Sequence, residues 1–225
     1  MSTVQPLQSE INSVISLFSS GQFQEALGEL ETLTKDYPNE PLLHNIAGAC
    51  YAGLGQLDTA VKSYEKVLII NPDYAKAHYN LGGTLHELGQ LDEAVKSYES
   101  SITIESDYAE AHNNLGNVLR ELGQLDDAVV SYEKALTLNP DYIEAHYSLG
   151  IVLQDLGQLD VMVKHLEKAL TLKPDFAEVH NNLGNALKEL GRLDDAIQSY
   201  EKALAINPDY PTVHNNLGIA FKELG

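Results

Sequence analysis

Six histidines stand 34 residues apart, at His44, His78, His112, His146, His180 and His214. Imidazole can ligate a metal, move a proton or change charge near pH 6.5. Zinc needs ligand nitrogens about 2.0–2.1 Å away, whereas packed helices lie about 8–10 Å apart. Equivalent histidines in successive repeats therefore cannot share one ion, and the spacing predicts a packing role with a modest pH response. Asparagine is the second recurring polar type, in Asn80, Asn113, Asn114, Asn117, Asn181, Asn182, Asn185, Asn215 and Asn216. A carboxamide both donates and accepts hydrogen bonds, so a row of them could pair with peptide N–H and C=O groups while largely ignoring side-chain sequence. Cys50 falls on an apolar helix face beside Ala49 and Tyr51, which supply no base, and reads as a buried thiol. No Ser/His/Asp set, phosphate-binding glycine loop or paired-carboxylate site stands out. Neither catalytic residues nor a cofactor or metal is expected.

Something must position these side chains. The chain has 225 residues, 33 acidic against 14 basic, and a formal net charge of -19. With 44% hydrophobic residues it can build a core. The negative charge argues against nucleic acids and anionic membranes as partners. No apolar run approaches the 18 or so residues of a membrane span, and residues 1–10 lack a signal-peptide core, which predicts a cytoplasmic location. One cysteine excludes an internal disulfide.

Glycine placement supplies the architecture. Gly48, Gly82, Gly116, Gly150, Gly184 and Gly218 form one series with a period of 34, and Gly21, Gly55, Gly89, Gly123, Gly157, Gly191 and Gly225 form a second. Units begin at residues 7, 41, 75, 109, 143, 177 and 211, after a leading segment (1–6) expected to be flexible. Each reads as two helices. Over residues 109–123, Ala111, Leu115, Val118, Leu119 and Leu122 make one apolar face. Asp107 with Glu110 reads as a capping box and Asp126 as the cap of the second helix. Gly123 is expected to stop the first helix and Asn139-Pro140 the second. The mid-helix glycines each cost about 1 kcal/mol relative to alanine. They are expected to admit a close neighbour, with Ala60, Ala94, Ala128 and Ala196 as the partners.

These residues resemble the tetratricopeptide (TPR) repeat: Leu-Gly in the first helix, glycine after it, Ala–Tyr–Ala in the second and a closing proline. The resemblance covers residues 7–225. It implies an all-α, right-handed superhelical solenoid of antiparallel helix pairs, one domain of units 7–40, 41–74, 75–108, 109–142, 143–176 and 177–210 plus a further first helix at 211–225. The first helices would line a concave groove. Asn113-Asn114-Leu115-Gly116-Asn117, preceded by Asp-Tyr-Ala-Glu-Ala-His, is most similar to repeats of O-linked GlcNAc transferases, whose groove asparagines are thought to hold peptide backbone. Departures from the pattern have local consequences. Met162 and Leu166 replace alanine and tyrosine, which risks overpacking. Glu105-Ser106 replaces Asn-Pro, so that helix could run on. Ser101 brings a hydroxyl to a normally buried alanine position.

The sixth place of each unit, Asn12, Ile46, Asn80, Asn114, Ser148, Asn182 and Asn216, forms a polar row on the groove side. Only Lys76, Arg120, Lys188 and Lys222 offer positive charge there, among Glu110, Glu121, Glu144, Glu178, Glu189 and Glu223. The expected partner is a protein or peptide that is neutral or basic rather than acidic. The first unit is serine-rich, as a solvent-facing cap should be. At the other end Val213, Leu217, Ala220, Phe221 and Leu224 keep an internal-repeat pattern with no helix after them. That predicts a fragment cut inside an array, with self-association through its C-terminal end. The functional expectation is a non-catalytic interaction scaffold; the alternative is the substrate-docking arm of a larger enzyme such as a protein glycosyltransferase.

Overall fold

The computed structural model describes residues 4–225, with side chains from Gln8 onward. Within them the chain forms thirteen helices and no strands. Two open the chain, α1 (Val4–Ser19) and α2 (Phe23–Asp36), followed by α3 (Pro41–Gly53), α4 (Leu57–Ile70), α5 (Ala75–Glu87) and α6 (Leu91–Ile104). Then come α7 (Ala109–Glu121), α8 (Leu125–Leu138), α9 (Ile143–Asp155) and α10 (Leu159–Leu172). The last are α11 (Ala177–Glu189), α12 (Leu193–Ile206) and α13 (Pro211–Leu224). Of the leading segment, residues 1–3 lie outside the described residues, and residues 4–6 fall within α1. The chain divides into two compact units, Met1–Ala111 and His112–Gly225, with the division inside α7.

Helix ends follow backbone chemistry more than side-chain caps. Gly123 takes φ 73°. Its N–H bonds Arg120 O and that of Gln124 bonds Leu119 O, both at 2.9 Å, which satisfies carbonyls α7 leaves open. The chain re-enters a helix at once. Thus α8 begins at Leu125 behind Gln124, which makes no side-chain cap, and Asp126 and Asp127 lie in the first turn. There they act as charges on the helix dipole, not as the expected cap. First helices likewise begin behind aromatics, Tyr74, Tyr142 and Phe176, with no side-chain cap, and Asp107 stands two residues ahead of α7. The helix before Glu105-Ser106 does not run on. Glu105 is extended (φ -129°, ψ 90°) and its N–H bonds Ser101 O, the geometry that Asn71 and Asn139 adopt. Asn-Pro is therefore not required at this bend, since an ordinary residue can take the same extended conformation.

The core also corrects the expected partner of the mid-helix glycines. A Cβ on Gly48, Gly116 or Gly184 would lie 2.6, 2.7 or 2.5 Å from Cε1 of Tyr64, Tyr132 or Tyr200. The neighbour admitted is the tyrosine ring sixteen residues on, while the alanines pack fully buried nearby. Ser101 is wholly buried and satisfied, donating to Ala75 O at 2.9 Å. At the end of the chain, Phe221 and Leu224 of α13 are half exposed.

Candidate peptide-binding face

The histidines sit where their helices begin. Nε2 of His44, His78, His146, His180 and His214 lies 2.8–3.0 Å from the carbonyl oxygen of the proline six residues earlier. A carbonyl only accepts, so Nε2 carries the proton and Nδ1 of the neutral ring is bare. Each ring thereby ties the inter-repeat bend to the next helix, the packing role expected. Among the described residues no group of three or more His, Cys, Asp or Glu side chains gathers to hold a metal ion. His146 Nδ1 faces His165 Nδ1 at 3.0 Å, so His165 donates and His146 accepts. Burial pushes the pKa of His146, His165 and His180 below the ordinary histidine value, and His180 Nδ1 is buried with no partner to receive a proton. Cys50 is fully buried, and burial raises its thiol to about 11.

The asparagines obey a rule of 35 residues, one repeat plus one position. Asn80 Nδ2 donates to Asn45 Oδ1, Asn182 Nδ2 to Tyr147 Oη and Asn216 Nδ2 to Asn181 Oδ1, each at 3.1 Å. The sixth place of one unit is thus pinned to the fifth place of the unit before. A second file runs within hairpins: Tyr132 Oη donates to Asn117 Oδ1 and Tyr200 Oη to Asn185 Oδ1, both at 2.8 Å. The Tyr132 hydroxyl is pushed up to about 12, chiefly by burial.

The nine asparagines expected to line a groove therefore occupy different depths. Asn113 and Asn181 are buried, Asn215 is exposed, and Asn80, Asn114, Asn117, Asn182, Asn185 and Asn216 are half-buried. Asn113 and Asn181 donate to their neighbours Asn114 and Asn182 at 3.2 Å. Among the described residues, groups remain unbonded on four half-buried members: Oδ1 of Asn80 and Asn216, and Nδ2 of Asn117 and Asn185. Two sixth places, Ile46 and Ser148, carry no amide. Ser148 stands 35 residues after Asn113, cannot offer an amide, and leaves Asn113 Oδ1 buried without a partner. The repeated spacing of 35 in Asn45/Asn80 and Asn181/Asn216 was the available sequence signal for these rungs.

Aromatic side chains, which the sequence reading passed over, stand beside the asparagines. Tyr79 and Tyr108 have ring centroids 4.7 Å apart with Lys76 Nζ over both; Tyr147 and Phe176 lie 5.5 Å apart. Tyr147 Oη donates to Glu178 Oε1 at 2.7 Å, and burial and that bond hold its pKa well above the ordinary tyrosine value. Larger clefts lie elsewhere: one between α10 and α12 is lined by His180, Arg192 and Lys202, and its counterpart by His44, Gln56 and Lys66. Their recurrence makes them a property of the stacked repeat.

Stacked helical hairpins with polar side chains filed along their first helices make this a helical-repeat protein. The sequence profile of the TPR repeat matches residues 48–89, 82–120, 116–157, 153–191 and 184–225, and the chain belongs to that family. None of the curated proteins matches it. Among solved structures, that of MamA superposes with a TM-score of 0.69 at 28% identity, over 72% of this chain and 94% of that one. YrrB, a TPR protein with an unusual peptide-binding site, does so at 0.72 and 21% identity, over 83% and 96%. PilF of Pseudomonas aeruginosa reaches 0.83 at 16% identity, over 94% and 96%. At those identities YrrB and PilF bear on the fold alone. No helix among the described residues is long and apolar enough to cross a membrane.

Proposed function

We propose that the chain is a non-catalytic scaffold that binds an extended, neutral or basic peptide segment along the asparagine-bearing face of its first helices. The observation that carries the reading is the half-buried carboxamides that each compact unit carries on its first helices. Asn80 and Asn117 are held by one hydrogen bond each and Asn185 and Asn216 by two, yet among the described residues Oδ1 of Asn80 and Asn216 and Nδ2 of Asn117 and Asn185 stay unbonded. Both an acceptor and a donor are presented, as a peptide backbone requires. Pre-organisation by the rungs lowers the entropy lost on binding. The acidic balance repels acidic partners and attracts basic ones. YrrB supports the reading to the extent that the same fold can carry a peptide site.

The test leaves the protein intact and varies the ligand. Neutral nonapeptides of different sequence should bind within a few-fold of one another. Methylating alternate backbone nitrogens of one of them should weaken it by about 10-fold, the worth of a hydrogen bond or two. Affinity that follows side-chain sequence and ignores N-methylation would overturn the reading.

A further inference from the structure

Four positions recur 68 residues apart with one reversal of charge: Lys76, Tyr79, Tyr108 and Glu110 against Glu144, Tyr147, Phe176 and Glu178. In the first set the chain fills its own slot. Lys76 Nζ lies 4.6 Å from the Tyr79 ring centroid and 5.4 Å from that of Tyr108, and donates to Tyr108 Oη at 2.7 Å. An ammonium over paired aromatic faces is attracted by their quadrupoles. This corner of the fold is therefore shaped to receive one.

In the second set the filling lysine is gone. Glu144 takes its place, three residues before Tyr147 and on the same face of α9. Tyr147 is fixed from two sides, donating to Glu178 Oε1 at 2.7 Å and accepting from Asn182 Nδ2 at 3.1 Å. That holds the Glu178 carboxylate beside the ring. Lys173, at the C-cap of α10, lies 4.8 Å from the Phe176 centroid. It leaves the Tyr147 ring, over which no other described residue places a cation. Where the first set supplies its own positive charge, the second has the Glu178 carboxylate at the Tyr147 hydroxyl and Glu144, three residues earlier on α9, where the lysine stood.

We propose that Tyr147, with Glu144 and Glu178 around it and Phe176 behind it, is a receptor slot for one lysine side chain of an extended peptide partner. The proposal rests on the peptide-binding reading above and narrows it to a partner with a lysine in register with α9. Lys76 is the chain's own picture of the bound state. A carboxylate in the ligand would be repelled by Glu144 and Glu178, and a neutral side chain would gain neither the ring nor the charges.

Acetylated and amidated nonapeptides of alanine and serine, with lysine, glutamine or glutamate at the centre, provide the probe, their binding followed by NMR titration. At low salt the lysine peptide should bind about 10-fold tighter than the glutamine peptide, and the gap should close as salt screens exposed charges. Glu144→Lys copies the self-filling arrangement at an exposed position. It should reduce the lysine peptide to the affinity of the glutamine peptide while leaving the latter and the helical signal unchanged and lowering the thermal midpoint only slightly, since an acid is lost from the first turn of α9. Glu178→Gln should narrow the gap without closing it. Equal binding of lysine and glutamine peptides to the unsubstituted chain refutes the slot but leaves the peptide-binding face standing. Failure of every peptide to bind removes both.

Discussion

The hairpins α9–α10 and α11–α12 share a backbone plan and fill it differently. Against Gly184 lies the ring of Tyr200, with Ala196 beside it, both wholly buried. Against Gly150 lie Leu166 and, farther off, Met162, also wholly buried; a Cβ on Gly150 would come 2.8 Å from Leu166 Cδ2 and 4.0 Å from Met162 Cγ. A large and a small residue have been exchanged for two of middle size. The volume that methionine adds over alanine is offset by leucine in place of tyrosine. What the repeat preserves at the crossing is filled space, which a core demands at near-crystalline density. The polar partners differ too. Ser199 turns back on its own helix to Asp195 O at 2.9 Å, whereas His165, its counterpart, reaches across to His146.

Breaking the exchange should have the largest effect. Met162→Ala alone should cost about 2–5 kcal/mol through the cavity it leaves, and Leu166→Tyr alone about 1–3 kcal/mol through overpacking. The double substitution writes the α12 solution into α10. In a denaturation cycle it should be milder than the sum of the two by at least about 1 kcal/mol. Strict additivity would show that volume exchange is not the reason for the difference.

Glycine substitution sharpens the same contrast at smaller scale. Gly184→Ala meets a packed ring and should cost about 1–3 kcal/mol by overpacking, partly offset by better helix propensity. Gly150→Ala meets the end of a leucine that can change rotamer, and should fall within about 1 kcal/mol of neutral. Equal losses in thermal or chemical unfolding would argue that the rigidity of the facing side chain is irrelevant.

A gain is expected from supplying the rung absent at Ser148. Asn216 donates to both Asn181 and Asn185 at 3.1 Å, and Ser148→Asn should make the equivalent bonds to Asn113 and Asn117. Satisfying Asn113 Oδ1 should add about 1 kcal/mol. A raised unfolding midpoint, with slowed exchange of the new side-chain amide, is the readout; an unchanged midpoint would mean that the orphan oxygen is not a weak point.

The smallest effect concerns pH. The folded-state pKa values of His146, His165 and His180 lie below the unfolded value near 6.5. The unfolded chain then binds more protons as pH falls through 6.5, so stability is complete above that value and declines below it. Asp141 and Lys168 beside His146, and Lys202 near His180, are the other charges acting on these rings. His165→Ser restores the residue found at this place in α4, α6, α8 and α12 and should flatten the slope of unfolding midpoint between pH 7.5 and 5.5, leaving the His180 share. A slope unchanged by His165→Ser would assign the response elsewhere.

Much of the architecture could be read from one dimension because its causes are local. Glycines at a period of 34, each ending a first helix in a left-handed turn, mark hairpin after hairpin, and apolar spacing marks the buried face. Cys50 and the histidines were legible for the same reason, as residues placed on a known face of a known helix. The helix starts were less so. Asp126 has the chemistry of a cap, but the glycine turn before it had already satisfied the open groups, and the helix begins one residue sooner. Asn113 and Asn181 look like surface residues by type, yet the stacking of the next hairpin buries them.

By itself the sequence determined the number, length and order of the helices and which stripe of each turns inward, since those follow from backbone conformation and the period of apolar residues. Only the tertiary structure decided that the glycines receive tyrosine rings and not alanines, that asparagines bond at a separation of 35, and that Lys76 fills a slot which Glu144 leaves open. Those contacts depend on the register of one helix against the next. Register is set by how whole side chains interlock across the interface, a property that no local spacing specifies.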